Sequence, residues 1–151
     1  SGPAAEIVAA KAPAPAAAES LPRARHPGRV LLVEDSETNQ ILFRTVLAGA
    51  GHQVEVAENG RIALEALQRA PFDLVLMDGQ MPVMGGLDAA RAIRASGAPF
   101  AQVTIIALTA NLLGRDSATF DEAGMDDFLG KPVDLKHLLE KVDSWIGRRQ
   151  A

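Results

Sequence analysis

The chain has 151 residues, 48% of them apolar and 23% charged, and a net charge of −4; that length gives one domain with a core large enough to need no staple. Cysteine is absent, which excludes a disulfide framework and thiolate-bound metals and fits a reducing compartment, and no apolar run nears the roughly 20 residues of a membrane span, nor is a signal-peptide pattern present. The charge is uneven, +2 over residues 1–29 and therefore −6 over the rest, and an acidic body argues against a nucleic-acid-binding domain, which would show a basic stripe.

Residues 1–29 are rich in Ala and Pro, with Pro3, Pro13, Pro15, Pro22 and Pro27 breaking any helix. With few large apolar groups to bury, this stretch reads as a flexible linker, and a linker implies something upstream. The domain is expected over 30–147, with 148–151 as a tail. Val30–Val33 reads as a buried strand. Ser36–Ala50 reads as a helix with Ser36 as N-cap and Leu42, Phe43, Val46, Leu47 and Ala50 on one face. Gln53–Ala57 alternates as a second strand. Gly60–Arg69 is expected as a helix burying Ile62, Ala63, Leu64 and Leu67. Leu74–Met77 is the central strand, followed by a helix over Gly86–Ala95 with Leu87, Ala90 and Ile93 inward. Val103–Leu108 is a further apolar strand. A weaker helix is expected near Leu113–Ala123, diluted by Gly114, Ser117 and Thr119. Asp127–Leu129 is a short strand, and Leu135–Ile146 a helix with Leu135, Leu138, Leu139, Val142 and Ile146 in phase. Trp145 belongs to this last helix, as packing or as a partner contact.

Five strands alternating with five helices mean a parallel sheet covered on both faces, in a flavodoxin-like, doubly wound α/β fold. Strand order 2-1-3-4-5 follows from the central character of the first strand and right-handed crossovers. Polar groups sit at the C-terminal ends of the apolar runs: Glu34 and Asp35, Asp78, Thr109, and Lys131 before Pro132. In a parallel sheet these ends share one edge, where open α/β sheets place their sites. Three carboxylates gathered there repel one another unless a cation sits among them. A hard divalent ion such as Mg²⁺, with oxygen ligands, suits the set.

From Val30 to about Ile146 the chain resembles a response-regulator receiver domain of two-component signalling. The motifs are Val33-Glu34-Asp35, Leu76-Met77-Asp78 with Met81-Pro82, Ala107-Leu108-Thr109-Ala110, and Gly130-Lys131-Pro132. Each is weak alone; the ordered set is specific. Thr38-Asn39-Gln40, Met81-Pro82-Val83-Met84 and Ala123-Gly124-Met125-Asp126-Asp127 are similar to receivers attached to hybrid histidine kinases. The resemblance implies a CheY-like fold and a role for each residue. Asp78 would be the phosphoacceptor, a carboxylate attacking a phosphohistidine. Asp35, Glu34, Asp78 and the backbone carbonyl of Gln80 would ligate Mg²⁺, with Mn²⁺ as a substitute, to offset charge on the phosphoryl oxygens. Lys131 and Thr109 would hold two of those oxygens. The Lys131-Pro132 peptide would be cis, an isomer that costs only about 0.5–1 kcal/mol before proline. Phe128 is by spacing a core aromatic of its strand; the resemblance adds a switch role, turning inward as Thr109 moves.

The implied partners are a histidine kinase core or a histidine phosphotransfer protein, with no nucleic acid and no direct membrane contact, in the cytoplasm. Output would use the weak helix, the last strand and the last helix. Two positions depart from the family: Gly79, usually a larger apolar residue, and Gly85, usually acidic. Glycine at both suggests a mobile loop over Gly79–Gly86 that ion binding orders. The competing readings are a docking module that signals without phosphorylation, a dehalogenase-like phosphatase and a flavodoxin-like electron carrier. The phosphatase needs a second acid where Gln80 stands. The electron carrier needs phosphate donors where Glu34-Asp35-Ser36 stands.

Overall fold

The computed structural model describes residues 6–8, 10–11, 21–78, 86–109 and 124–150. Five parallel strands form the sheet: β1 (Arg29–Val33), β2 (Gln53–Ala57), β3 (Leu74–Asp78), β4 (Thr104–Thr109) and β5 (Asp127–Gly130). Their order is 2-1-3-4-5, the doubly wound arrangement. Among the described residues there are four α-helices: α1 (Glu37–Gly49), α2 (Gly60–Arg69), α3 (Gly86–Ala95) and α4 (Leu135–Gln150). The helix expected near Leu113–Ala123 falls outside the described residues. A 3₁₀ turn over Pro99–Gln102, with Pro at its start, leads into β4.

Because strand side chains alternate, each strand feeds two cores. Leu31, Val33, Val75, Met77, Ile105 and Ala107 pack under α2 and α3 with Ala63, Leu67, Ala90 and Ile93. Val30, Leu32, Leu74, Leu76, Ile106 and Leu108 pack under α1 and α4 with Phe43, Leu47, Leu138, Val142 and Ile146. The three central strands are buried on both faces, which is why they read as unbroken apolar runs.

Three details differ from the sequence expectation. Ile62 is exposed rather than inward: the buried stripe of α2 is Ala63, Ala66 and Leu67, and Ile62 stands about 100° away from Ala63 on the helix. Helix α4 continues to Gln150, through positions read as a tail. Arg and Gln are good helix formers, and the Arg148 guanidinium stacks 4.4 Å from the centre of the Trp145 ring, one turn back.

The third concerns residues 1–29. Glu6–Val8 pairs antiparallel with Ala10–Lys11 in a small ribbon, and residues 21–28 lie as a strap against the domain. Ala24 N–H donates to Ala50 O at 2.9 Å, and His26 N–H to Asp143 Oδ1 at 2.8 Å. Gly28 N–H donates to His52 Nδ1 at 3.3 Å, and Arg29 N–H to Asp73 Oδ2 at 2.8 Å. Leu21 packs on the α1–α4 core. Gly147 gives the His26 ring its place, since a Cβ there would come within 2.5 Å of Cδ2. Bare backbone N–H groups did this fastening, so composition gave no sign of it.

Candidate functional site

The parallel register sets the geometry. Val33 pairs with Met77, and Asp78 with Leu108; the next row therefore runs Glu34, Asp78, Leu108, with Leu129 beside Leu108. Thr109 pairs with Gly130 one step further along, and Lys131 N–H donates to Thr109 O at 2.8 Å. Adjacent strands lie about 4.8 Å apart, so the backbones carrying Glu34, Asp78, Thr109 and Lys131 form one continuous edge. Gln80 and the loop Gly79–Gly85 fall outside the described residues, and Asp78 is placed by its backbone.

Glu34 is 1% exposed, whereas Asp35 beside it faces solvent. The turn that presents them is fixed by the start of α1. Ser36 caps that helix, its Oγ accepting from Asn39 N–H at 3.4 Å. Ser36 N–H donates to Glu34 Oε2 at 3.1 Å, and Gln40 Nε2 donates to the Glu34 carbonyl at 2.6 Å. The Ser36 and Gln40 contacts thus hold the carboxylate and the carbonyl of Glu34. Thr109, 8% exposed, ends β4. The Lys131-Pro132 peptide is cis and turns the chain from β5 towards α4. Phe128 is half-buried and packs on the α2–α3 side, opposite Leu129.

Among the described residues no three His, Cys, Asp or Glu side chains gather as a metal set; Glu34 and Asp35 are two acids, and Asp78 joins them by register. Carboxylates in this number, one of them buried, are chemically suited to a hard divalent cation. No helix among the described residues is long and apolar enough to cross a membrane.

The fold and edge just described are matched in known proteins. Residues 30–143 match the family described as Response regulator receiver domain. The chain is a receiver domain. It is 42% identical over 121 residues to sensor protein GacS of Pseudomonas syringae pv. syringae, covering 79% of this chain and 13% of that protein. Two-component response regulator ORR41 of Oryza sativa subsp. japonica is 46% identical over 114 residues, covering 73% of this chain and 87% of that one. The receiver domain of sensor histidine kinase PA1611 from Pseudomonas aeruginosa PAO1 superposes with a TM-score of 0.74 at 37% identity, over 80% of this chain and 98% of that one. That receiver has a magnesium ion coordinated in its active site cleft. The receiver thus spans about an eighth of the GacS sensor protein and most of ORR41.

Sequence reasoning missed one group at the opposite, N-terminal edge of the sheet. Arg94 of α3 donates through Nε to Gly124 O at 2.8 Å and through Nη1 to Ala101 O and Val103 O at 2.8 and 2.6 Å. Its Nη2 reaches Asp126 Oδ2 at 2.8 Å, which also accepts from Ile105 N–H. This clip fixes the entry of β5 into the sheet. An arginine in the last turn of a helix reads as a dipole partner, so its sequence position did not reveal these four contacts.

Proposed function

We propose that this receiver accepts a phosphoryl group on Asp78 from a phosphohistidine of a histidine kinase core or histidine phosphotransfer protein. One observation carries the reading: the register sets Glu34 next to Asp78, with Thr109 and Lys131 on the neighbouring strand ends. A carboxylate oxygen of Asp78 attacks phosphorus, the phosphorus–nitrogen bond breaks, and the imidazole leaves with its electron pair. The product is an acyl phosphate.

Glu34, Asp35, Asp78 and the Gln80 carbonyl would hold Mg²⁺, with Mn²⁺ able to serve in its place. When bound, the ion offsets charge on the transferring phosphoryl oxygens. The Lys131 ammonium and Thr109 hydroxyl bind the other two oxygens and orient the group. Each is a donor at an edge shielded by the sheet, where such contacts are stronger than in water. Phe128 follows Thr109 as the switch aromatic. The setting is a hybrid histidine kinase, supported by the sensor-protein relatives, and the compartment is the cytoplasm, supported by the lack of cysteine.

Acetyl phosphate with Mg²⁺ tests the reading by intact mass. The chain should gain one phosphoryl group and Asp78→Asn none. Phosphotransfer from a panel of histidine kinases should show the same pattern. Labelling that survives Asp78→Asn removes Asp78 from its role, and absence of uptake in the unaltered chain leaves docking without phosphorylation.

A further inference from the structure

The turn between β1 and α1 engages Glu34 at three points. Its N–H donates to Ala57 O at 3.0 Å, extending the ladder to β2. Its carbonyl accepts from Gln40 Nε2 at 2.6 Å, and its carboxylate Oε2 accepts from Ser36 N–H at 3.1 Å. Gln40 is half-buried in the first turn of α1, where its own N–H donates to Ser36 O at 2.9 Å. One residue therefore bonds to both sides of the turn, through its main chain to Ser36 and through its side chain to Glu34.

These contacts bear on Asp35, although none of them touches its side chain. Asp35 is exposed, and among the described residues its carboxylate has no hydrogen bond or ion pair. Its direction follows from its backbone, and so from the two peptide groups that flank it. The preceding group contains the Glu34 carbonyl, held by Gln40; the following one contains the Ser36 N–H, held by the Glu34 carboxylate. Peptide groups are planar, so holding both planes fixes the two soft dihedrals of Asp35 between them. The two holds differ in kind. The Ser36 donor is main chain and is present whatever residue stands there. The Gln40 donor exists only while a side chain with a terminal N–H of that reach occupies the position. Behind it, Phe43, Val46 and Leu47 anchor α1 in the core, so the amide ties the Glu34–Asp35 peptide to a packed element.

We propose that Gln40 is a positioning residue for divalent-cation binding: by holding the peptide that joins Glu34 to Asp35 it aims the exposed acid, and so favours a small ion of strict geometry over a larger, tolerant one. This rests on the reading that Glu34 and Asp35 hold Mg²⁺. Mg²⁺ demands near-ideal octahedral placement of its ligands, whereas Ca²⁺ accepts a range of ligand numbers and distances. Freeing the peptide therefore penalises Mg²⁺ more than Ca²⁺. A general loosening of the turn would weaken both ions alike.

The experiment is calorimetric titration of the whole chain with MgCl₂ and, separately, with CaCl₂, with no phosphoryl donor present. Gln40→Met keeps the length and the helix propensity of the side chain and loses the donor. Its Kd for Mg²⁺ should rise about tenfold, the lower end of what losing a contact behind a metal ligand costs, and its Kd for Ca²⁺ should rise by clearly less. Gln40→Ala should shift the ratio of the two constants in the same direction, and it carries the test if circular dichroism shows the methionine variant unfolded. An unchanged Mg²⁺ constant in the folded variants overturns the part given to Gln40. Equal weakening of both ions overturns the positioning role and leaves the amide as a contact that merely stabilises the turn. No Mg²⁺ uptake by the unaltered chain removes the metal reading itself, and this proposal with it.

Discussion

The two edges of the sheet use the same residue types for different ends. At the N-terminal edge, Asp73, His52 and Asp143 each accept one backbone N–H from the strap or its junction with β1. Those groups close the bottom of the domain. At the C-terminal edge, Glu34, Asp35, Asp78, Thr109 and Lys131 come from the ends of four strands, and Asp35 faces solvent. A carboxylate committed to a main-chain donor fastens; several carboxylates crowded at one strand edge repel and invite a cation.

Substitutions should separate the edges. Asp78→Asn should abolish phosphoryl uptake, read by mass, while the urea midpoint moves little. Removing residues 1–28 should do the reverse: uptake persists, and urea unfolding shows a loss of about 2–4 kcal/mol from the strap's hydrogen bonds and the Leu21 contact. Removing only residues 1–20 should leave that midpoint near its starting value. A smaller loss, about 1–3 kcal/mol, is expected for Gly28→Ala. Its Cβ would stand 2.6 Å from Asp73 Oδ2 and 3.2 Å from Ile146 Cδ1, forcing apart the Arg29–Asp73 contact. If either bottom-edge change stops phosphorylation, the edges are not independent.

The mildest test is pH. Burial lowers the His52 pKa from 6.5, against the opposing pull of Asp143, the Gly28 N–H contact and Asp73. Between the folded pKa and 6.5 the unfolded chain binds more protons than the folded one. The His52 contribution is thus full above pH 6.5 and is lost as pH falls from there through the folded value. Urea midpoints should drop over that window in the unaltered chain and drop less in His52→Gln.

The sequence was most legible where side chains bury. Apolar runs marked the first, third and fourth strands, alternation marked the second and a short stretch the last, and their order followed from the central first strand and from handedness. The candidate site stood out in the sequence because charge at the end of an apolar strand is expensive and therefore conspicuous. The strap, the Arg94 clip and the Asp127 contacts with Lys141 and Trp145 were hidden, because their partners are backbone atoms or residues 14 to 117 positions away. Ile62 was misjudged because an apolar residue at the margin of a helical stripe looks like one inside it. Trp145, ambiguous in sequence, became definite only through its bond to Asp127.

In a longer protein with a domain placed before residue 21, the strap would set the direction from which that domain approaches. A polypeptide arriving through Leu21 reaches the domain beneath the strands, beside Ala50, His52 and Asp143, whereas Asp78 lies at the top. A donor tethered upstream must travel round the height of the sheet, about 17 Å for five residues, before its imidazole meets the acceptor. Slack in the tether therefore governs the effective concentration of that donor. Shortening it should favour delivery between two molecules over delivery within one.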